Sequence, residues 1–201
     1  MNTPALTLAG LGRPESGIGR AIYFPLLAIL GSVAIGAAAQ FQVPFYPVPM
    51  TLQTLAVLII GGAFGWRLGA ATVLLYLLEG AAGIPFFAGG AAGPAVLIGP
   101  TGGYLWGFVI QAALVGWLAE RGFDRSAGKM LIATLLGGAI LYIPGIFWLT
   151  LWIMQAKTMY APQAFEAALA GGLYPFVLGD IVKAALAAMS FPAAWMLLDR
   201  K

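Results

Sequence analysis

The feature that most constrains this chain is a series of six apolar segments of membrane-spanning character. They cover residues 21–39, 52–66, 68–83, 103–119, 130–154 and 173–198. A membrane-spanning segment must satisfy its backbone hydrogen bonds internally, so we expect all six to be helical. The sequence therefore predicts an all-α polytopic membrane protein, a six-transmembrane-helix bundle in which residues 1–201 form a single membrane domain.

The composition makes the lipid bilayer the expected surroundings. Only 8% of the residues are charged, against roughly 25% in soluble domains. The chain has no cysteine and no histidine, which excludes thiol and imidazole chemistry and the usual zinc sites. We expect no catalytic residue, no metal and no cofactor. The ten basic residues are dispersed along the chain, so no nucleic-acid partner is predicted.

The first apolar segment ends in Ala37-Ala38-Ala39, which resembles a signal-peptidase site. The segment is longer than the core of a signal peptide, roughly 7–15 residues, and mostly polar sequence precedes it. We therefore expect it to be retained as a transmembrane helix.

The distribution of positive charge predicts the orientation. With the N-terminal segment 1–20 in the cytoplasm, eight of the ten basic residues are cytoplasmic, Lys157 lies in an outer loop and Lys183 lies within a span. The eight are Arg13, Arg20, Arg67, Arg121, Arg125, Lys129, Arg200 and Lys201. Positive charge collects in cytoplasmic loops, so both termini are expected inside, which requires an even number of spans.

This orientation leaves three longer connectors on the outer face, over residues 41–49, 84–102 and 155–172. The first contains prolines that exclude a helix, the second is rich in glycine, and the third contains an amphipathic stretch from Pro162 to Ala170. The first two are apolar and aromatic, so we expect them to pack over the bundle.

Asp180 and Lys183 are the most informative residues, because charge inside a membrane span is costly and usually functional. Their i, i+3 spacing places both on one face of the last helix. One interpretation is a structural ion pair between helices. The other is a recognition pair, in which a hydrogen-bond acceptor beside a donor matches a neutral ureido or amide group. The pair is net neutral, so neither charge is buried alone.

Three further polar residues lie near the predicted outer face. Thr51 precedes an apolar run and is expected to cap the second helix. Gln53 lies one step deeper and is expected to face a cavity. Glu79, at the outer end of the third span, is either a boundary residue or lines the site.

Four motifs resemble, in order, those of BioY, the biotin-specific S component of energy-coupling factor transporters. The first is PVPMTLQT over residues 47–54. The second runs from LYLLEG at 75–80 to IPFFAGG at 84–90. The third is GPTGGYL over 99–105, and the fourth is GDIVK over 179–183. The sequence is thus similar to that family over most of its length.

The resemblance implies the S-component fold, with a biotin site near the outer face beneath the outer loops. It implies that Asp180 and Lys183 contact the ureido ring of biotin. Aromatic walls for the rest of the ligand are expected from Phe45, Tyr46, Phe86 and Tyr104, with Gln53 facing the same cavity. The backbone amides at Gly89 and Gly90 could receive the carboxylate, although Gly89 stands where some members carry an amide side chain.

The resemblance also implies partners in the bacterial or archaeal plasma membrane. The chain has no P-loop motif, so energy is expected from two ATPase subunits joined through a transmembrane T component. In the first helix Ala28, Ser32 and Gly36 repeat at four-residue spacing. Such small residues allow close helix packing, and they form either an internal contact or the docking stripe for the T component.

Three alternative functions stay open at this point. A proton-driven secondary transporter would use Asp180 and Glu79 as carriers, but such folds usually contain repeated halves, and none is visible. An intramembrane enzyme lacks a nucleophile and base. An S component for another vitamin would bind thiamine or riboflavin in preference to biotin.

Overall fold

The computed structural model describes residues 7–198 and is mostly helical. Its helices are α1 (Leu8–Leu11), α2 (Gly17–Gln40), α3 (Gln53–Ala81), α4 (Ala95–Ile98), α5 (Gly102–Ala119), α6 (Ala127–Lys157), α7 (Ala161–Gly172) and α8 (Val177–Leu198). Strands β1 (Gln42–Val43) and β2 (Met50–Thr51) pair antiparallel, and 3-10 turns cover Ala88–Gly90 and Phe123–Arg125. The predicted all-α class is confirmed, and α7 is the amphipathic stretch predicted within residues 155–172. Arg200, Lys201 and residues 1–6 lie outside the described residues.

Five of the described helices are long and apolar enough to cross a membrane, namely α2, α3, α5, α6 and α8. Four of them correspond to one predicted span each. α2 begins at Gly17 rather than residue 21, because Ser16 Oγ accepts a hydrogen bond from Gly19 N at 3.0 Å and caps the helix. α8 begins at Val177 rather than residue 173, because a turn follows α7.

The fifth helix, α3, contains two of the predicted spans, folded back on each other at Gly65. Gly65 has φ 81° and ψ 174°, which divides α3 into residues 53–64 and 66–81. Gln53 Nε2 donates a hydrogen bond to Tyr76 Oη at 2.6 Å, although the two residues are 23 positions apart. A straight helix would separate them by about 34 Å. The predicted count of six spans therefore fits only roughly, because two of them form the single hairpin helix α3 and five of the described helices are span candidates.

Gly65→Ala is expected to destabilise this hairpin. The φ and ψ of Gly65 lie in a region open essentially to glycine alone, where another residue costs about 1–3 kcal/mol. A methyl group there would also lie 2.4 Å from Glu120 Oε1. We expect a lower melting temperature for the purified protein in detergent. In Gly128→Ala, the control, the added methyl has no neighbour within 4 Å, and an equal fall in both variants would contradict the explanation.

Small residues bring α3 and α5 together almost backbone to backbone. A methyl group at Gly61 would lie 2.9 Å from Ala112 Cα, and one at Gly116 would lie 2.4 Å from the carbonyl carbon of Gly65. Across the hairpin, a methyl group at Gly69 would lie 3.0 Å from Gly61 Cα. The glycine stripe at positions 61, 65 and 69 is therefore internal packing.

The small-residue stripe of α2 is also internal, which corrects the docking interpretation. Ser32 is 0% exposed and Ala28 is 9% exposed. Gly36 is buried, and a methyl group there would lie 2.8 Å from Phe86 Cγ. This face of α2 is covered by the loop after α3 and by α3 itself, where Thr72 lies against Gly31. Small residues at this spacing allow close approach but do not specify which helix approaches.

The connectors over residues 41–49 and 84–102 pack over one end of the bundle, as predicted. Val48 is 6% exposed and Phe87 is 1% exposed. Gln40 Nε2 at the end of α2 donates to the Phe87 carbonyl at 3.3 Å, which ties the second connector to the helix. Pro47 of the first connector lies on Gly171 at the end of α7, so close that a methyl group there would be 2.8 Å from Pro47 Cδ. The loops therefore form a roof over this end of the bundle.

Gln111 in α5 is a polar side chain within the bundle core. It is 0% exposed, and neither amide atom has a hydrogen-bond partner among the described residues. Its side chain lies near Gly137 of α6, where an added methyl group would be 3.7 Å from Gln111 Cγ. Unpaired buried polar groups cost about 1–3 kcal/mol each, so the position is a local source of instability.

Gln111→Met is therefore expected to stabilise the protein by about 1–2 kcal/mol, since it keeps the length of the side chain and removes both unpaired atoms. This corresponds to a rise of about 2–8 °C in melting temperature for a chain of this size. Thr134→Val is the matched control, because Thr134 is equally buried but its Oγ1 donates to the Ala184 carbonyl at 2.9 Å. The control should lower the melting temperature, and a fall in Gln111→Met as well would contradict the prediction.

Candidate ligand-binding site

A cavity of about 220 Å³ lies beneath the roof of loops, at the end of the bundle where residues 41–49 and 84–102 pack. Pockets for drug-sized ligands span roughly 300–1,000 Å³, so this one suits a small ligand. Its apolar lining comes from Val48, Pro49, Phe87, Ala88, Ala91, Val96, Leu105, Phe108, Leu141 and Phe176. Its polar lining comes from Thr51, Gln53, Thr54, Thr101, Tyr104, Tyr142, Asp180 and Lys183. A mostly apolar wall with a few convergent polar groups is typical of small-molecule sites.

Asp180 lies at the centre of the polar part. Its Oδ1 accepts from Lys183 Nζ at 3.0 Å and from Thr54 Oγ1 at 3.2 Å. Its Oδ2 accepts from the Tyr142 hydroxyl. Three donors from α8, α3 and α6 thus converge on one carboxylate whose side chain is 12% exposed. The arrangement fixes the carboxylate and at the same time joins three helices.

Lys183 keeps hydrogen-bonding capacity for a ligand. Its side chain is 9% exposed, and it lines the cavity next to its partner Asp180. An ammonium group has three N–H donors, and the ion pair with Asp180 uses one of them. Lys183 can therefore donate to an acceptor in the cavity without leaving Asp180. The predicted pair is formed, and both of its members face the same space.

Gln53 is held rigidly at the cavity wall. Its Oε1 accepts from Thr51 Oγ1 at 3.1 Å, while its Nε2 donates to Tyr76 Oη at 2.6 Å. Thr51 Oγ1 also accepts from the Gln53 backbone N at 3.2 Å, the first amide of α3. The N-cap residue is Leu52 and not Thr51 as expected, although the Thr51 hydroxyl does bind the first amide of the helix.

Tyr104 connects the cavity wall to the roof. Its hydroxyl donates to the Gly172 carbonyl at the end of α7, at 2.8 Å. Its ring meets the Tyr142 ring edge to face, with 6.3 Å between the ring centroids. The residue is 7% exposed. Tyr104 therefore fixes α7 over the site and supports the tyrosine that binds Asp180.

Comparison with known proteins identifies the family. The family model described as "BioY family" matches residues 17–200. The chain belongs to the BioY family. Among its relatives, the biotin transporter BioY of Thermotoga maritima is 36% identical over 155 residues, 77% of this chain and 85% of that protein. The biotin transporter BioY of Rhizobium etli is 35% identical over 164 residues, 78% of this chain and 83% of that protein.

This BioY family member also has a solved structural neighbour. The crystal structure of the S-component for biotin from an ECF-type ABC transporter matches with a TM-score of 0.72. The match covers 91% of this chain and 95% of that one, at 22% sequence identity. The chain therefore has the S-component fold, as predicted, and is a multi-pass membrane protein.

Five residues that the sequence placed at the site do not line the cavity in this BioY family member. Tyr46 is 76% exposed and Phe45 is 42% exposed, the latter packing edge to face on Phe176. Phe86 stacks on Tyr76 behind the wall, with 6.5 Å between centroids. Gly89 and Gly90 form a left-handed turn, and the alanines on either side of them, not the glycines, reach the cavity.

Glu79 also stays out of the cavity lining. Its Oε2 is buried and has no hydrogen-bond partner among the described residues.

Sequence reasoning missed Thr54, Tyr142 and Phe176 as lining residues. Thr54 could have been found, since it follows Gln53 by one position in the first motif of the family. Tyr142 lies in the long apolar run of α6, and no motif marks it. Phe176 belongs to the turn before α8, which the sequence assigned to the helix itself.

Proposed function

We propose that this BioY family protein is the biotin-binding S component of an energy-coupling factor transporter, capturing biotin from the outer face. The observation that carries the proposal is the pair Asp180–Lys183 inside a small, mostly apolar cavity. A ureido ring offers a carbonyl to Lys183 and an N–H to Asp180. The thiophane ring and the valeryl chain are apolar, as are walls such as Leu105, Phe108 and Leu141.

Calorimetric titration of the purified protein with biotin, thiamine and riboflavin tests this proposal. We expect saturable binding of biotin with one site per chain and no heat from the other two vitamins. Preferential binding of thiamine or riboflavin would instead make the protein an S component for that vitamin. Absence of biotin binding by folded protein would contradict the proposal.

The proposal includes partners, because the sequence carries no nucleotide-binding P-loop. A transmembrane T component and two ABC-type ATPase subunits supply the energy, and this chain is not itself an enzyme. Uptake of biotin should therefore require the partner subunits. Proteoliposomes with this chain alone should bind biotin at the outer face without accumulating it, even with a pH gradient. Accumulation under those conditions would favour the proton-driven alternative.

The proposed orientation places both termini in the cytoplasm. Three arginines lie against tryptophan rings at the end of the bundle that carries the Gly65 turn. The Cζ-to-centroid distance is 5.0 Å for Arg67 on Trp66, 3.4 Å for Arg121 on Trp117 and 3.4 Å for Arg125 on Trp195. Tryptophan is enriched at both membrane interfaces, whereas arginine is enriched on the cytoplasmic side, so the tryptophans mark this end as an interface and the arginines favour it as the cytoplasmic one.

Single cysteines test the orientation, since the natural chain has none. Gln163→Cys in α7 should react with a membrane-impermeant maleimide in intact cells, because Gln163 is exposed near the roof. Ser126→Cys, before α6, should react only after the membrane is opened. The reverse pattern would show that the chain has the opposite orientation.

A further inference from the structure

A groove runs along the outside of α6 towards the roof, outside the ligand cavity. Its apolar part has a volume of about 590 Å³. Side chains of two helices form its walls, namely Ile143, Phe147, Leu151 and Met154 of α6 and Ala161 and Phe165 of α7. Leu151 and Met154 also line a second, more polar space, which contains Gln155, Thr158 and Tyr160. The two spaces therefore form one continuous groove with an apolar part and a polar end.

The apolar part offers no free side-chain donor to an occupant. Its two hydroxyl groups belong to Tyr142 and Thr150. The Tyr142 hydroxyl donates to Asp180 Oδ2. The Thr150 hydroxyl donates to the Ile146 carbonyl at 2.8 Å. Phe147 is 67% exposed, so the groove is open to the surroundings of the bundle. An occupant of this part is therefore apolar, as a lipid tail is.

The length of the apolar part is close to the thickness of one leaflet. From Tyr142 to Met154, α6 rises by about 18 Å at about 1.5 Å per residue. Half of the hydrocarbon core of a bilayer is about 15 Å thick. The polar end of the groove begins in the last turn of α6, just before α7. A lipid tail in the groove would therefore bring its headgroup to the level of Gln155 and Thr158.

The polar end of the groove lies beside a positive charge. Lys157 is exposed in the last turn of α6, between Gln155 and Thr158, which line this end. It forms no salt bridge with any described residue, Glu166 of α7 included. The side chains of Gln155, Thr158 and Tyr160 have no hydrogen-bond partner within the part of the chain that the structure describes. An unpaired ammonium beside free amide and hydroxyl groups is complementary to a phosphate.

We propose that the groove binds one anionic phospholipid of the leaflet at the roof end, with a tail between α6 and α7 and its phosphate at Lys157. The inference goes beyond the proposed function and does not depend on which ligand the cavity binds. Lipid that only surrounds the protein would prefer neither this groove nor a charged headgroup. A specific lipid would show both preferences.

Native mass spectrometry of the delipidated protein in detergent tests the inference. The anionic probe is dioleoyl phosphatidylglycerol, and the zwitterionic probe is dioleoyl phosphatidylcholine. We expect one tightly retained phosphatidylglycerol per chain, with an affinity at least about threefold higher than that of phosphatidylcholine. This comparison needs no variant. Equal affinity for the two lipids, or a series of bound lipids without a first tight one, overturns the inference.

Two variants locate the site. Ala161→Trp places an indole in the groove between α6 and α7, so it should weaken phosphatidylglycerol binding at least about tenfold. Ala156→Trp is the matched control, because Ala156 is also an exposed alanine close to α7 but does not line the groove. It should bind phosphatidylglycerol like the natural protein. Equal losses in both tryptophan variants, or no loss in Ala161→Trp, overturn the inference.

Lys157→Met tests the headgroup contact. It should weaken phosphatidylglycerol at least about threefold and leave phosphatidylcholine unchanged, while the melting temperature in lipid-free detergent stays that of the natural protein. Lys129→Met is the control, because Lys129 is exposed at the opposite end of α6, and it should keep the natural affinity for both lipids. Unchanged phosphatidylglycerol binding in Lys157→Met, or an equal loss in Lys129→Met, overturns the inference, even if Ala161→Trp fails to fold.

Discussion

Asp180→Asn is expected to weaken biotin binding at least about tenfold. The carboxylate forms three hydrogen bonds in the free protein and keeps one acceptor position for the ligand. Charge-assisted hydrogen bonds contribute about 1.5–3 kcal/mol each, equivalent to about 10- to 150-fold in affinity. Removing the negative charge also leaves Lys183 buried without its ion-pair partner, which adds to the cost. Calorimetry with biotin measures the change directly.

The double variant Asp180→Asn with Lys183→Met separates recognition from stability. It removes the unpaired charge but does not restore the recognition groups, so it should recover melting temperature more than biotin affinity. Lys157→Met is the control, because Lys157 is exposed in the last turn of α6 and should leave both quantities unchanged. Normal biotin affinity in folded Asp180→Asn would end the recognition hypothesis and leave a structural ion pair.

Ser32→Trp is expected to abolish or severely reduce the yield of folded protein. Ser32 is 0% exposed, and its hydroxyl donates to the Ile29 carbonyl at 2.9 Å within α2. Overpacking a dense core costs about 1–3 kcal/mol and more where the backbone cannot shift. The neighbouring contacts are tight, since a methyl group at Gly36 would already lie 2.8 Å from Phe86 Cγ. An indole in this layer must separate α2 from its neighbours.

Val33→Trp is the matched control, because the next residue along α2 is 46% exposed and points out of the bundle. It should fold and bind biotin like the natural protein. Thermal unfolding and biotin binding of both variants decide between the two interpretations of the stripe. If folded Ser32→Trp bound biotin normally and lost only assembly with a T component, the stripe would be a docking surface after all, and the internal packing described above would be incorrect.

Much of the candidate site could be predicted from local patterns. Asp180 and Lys183 stand three residues apart in an otherwise apolar helix, where charge is too costly to be incidental. Gln53 was expected to face a cavity from its depth, and it lines one. Tyr46, which the sequence places on the wall, is 76% exposed in the structure, because an aromatic residue in a connector can point either way.

The sequence by itself determined the membrane class and the charged pair, because hydrophobicity, helix periodicity and the cost of buried charge act within a few turns of chain. Only the tertiary structure decided which groups meet across the bundle. Tyr142 reaches Asp180 from 38 positions away, and Thr54 reaches it from 126 positions away. The same holds for the α2 stripe, because its four-residue spacing permits close helix packing but does not identify which helix packs there. Hydrogen-bond partners and packing neighbours depend on how whole helices are placed in space, and no local pattern records that placement.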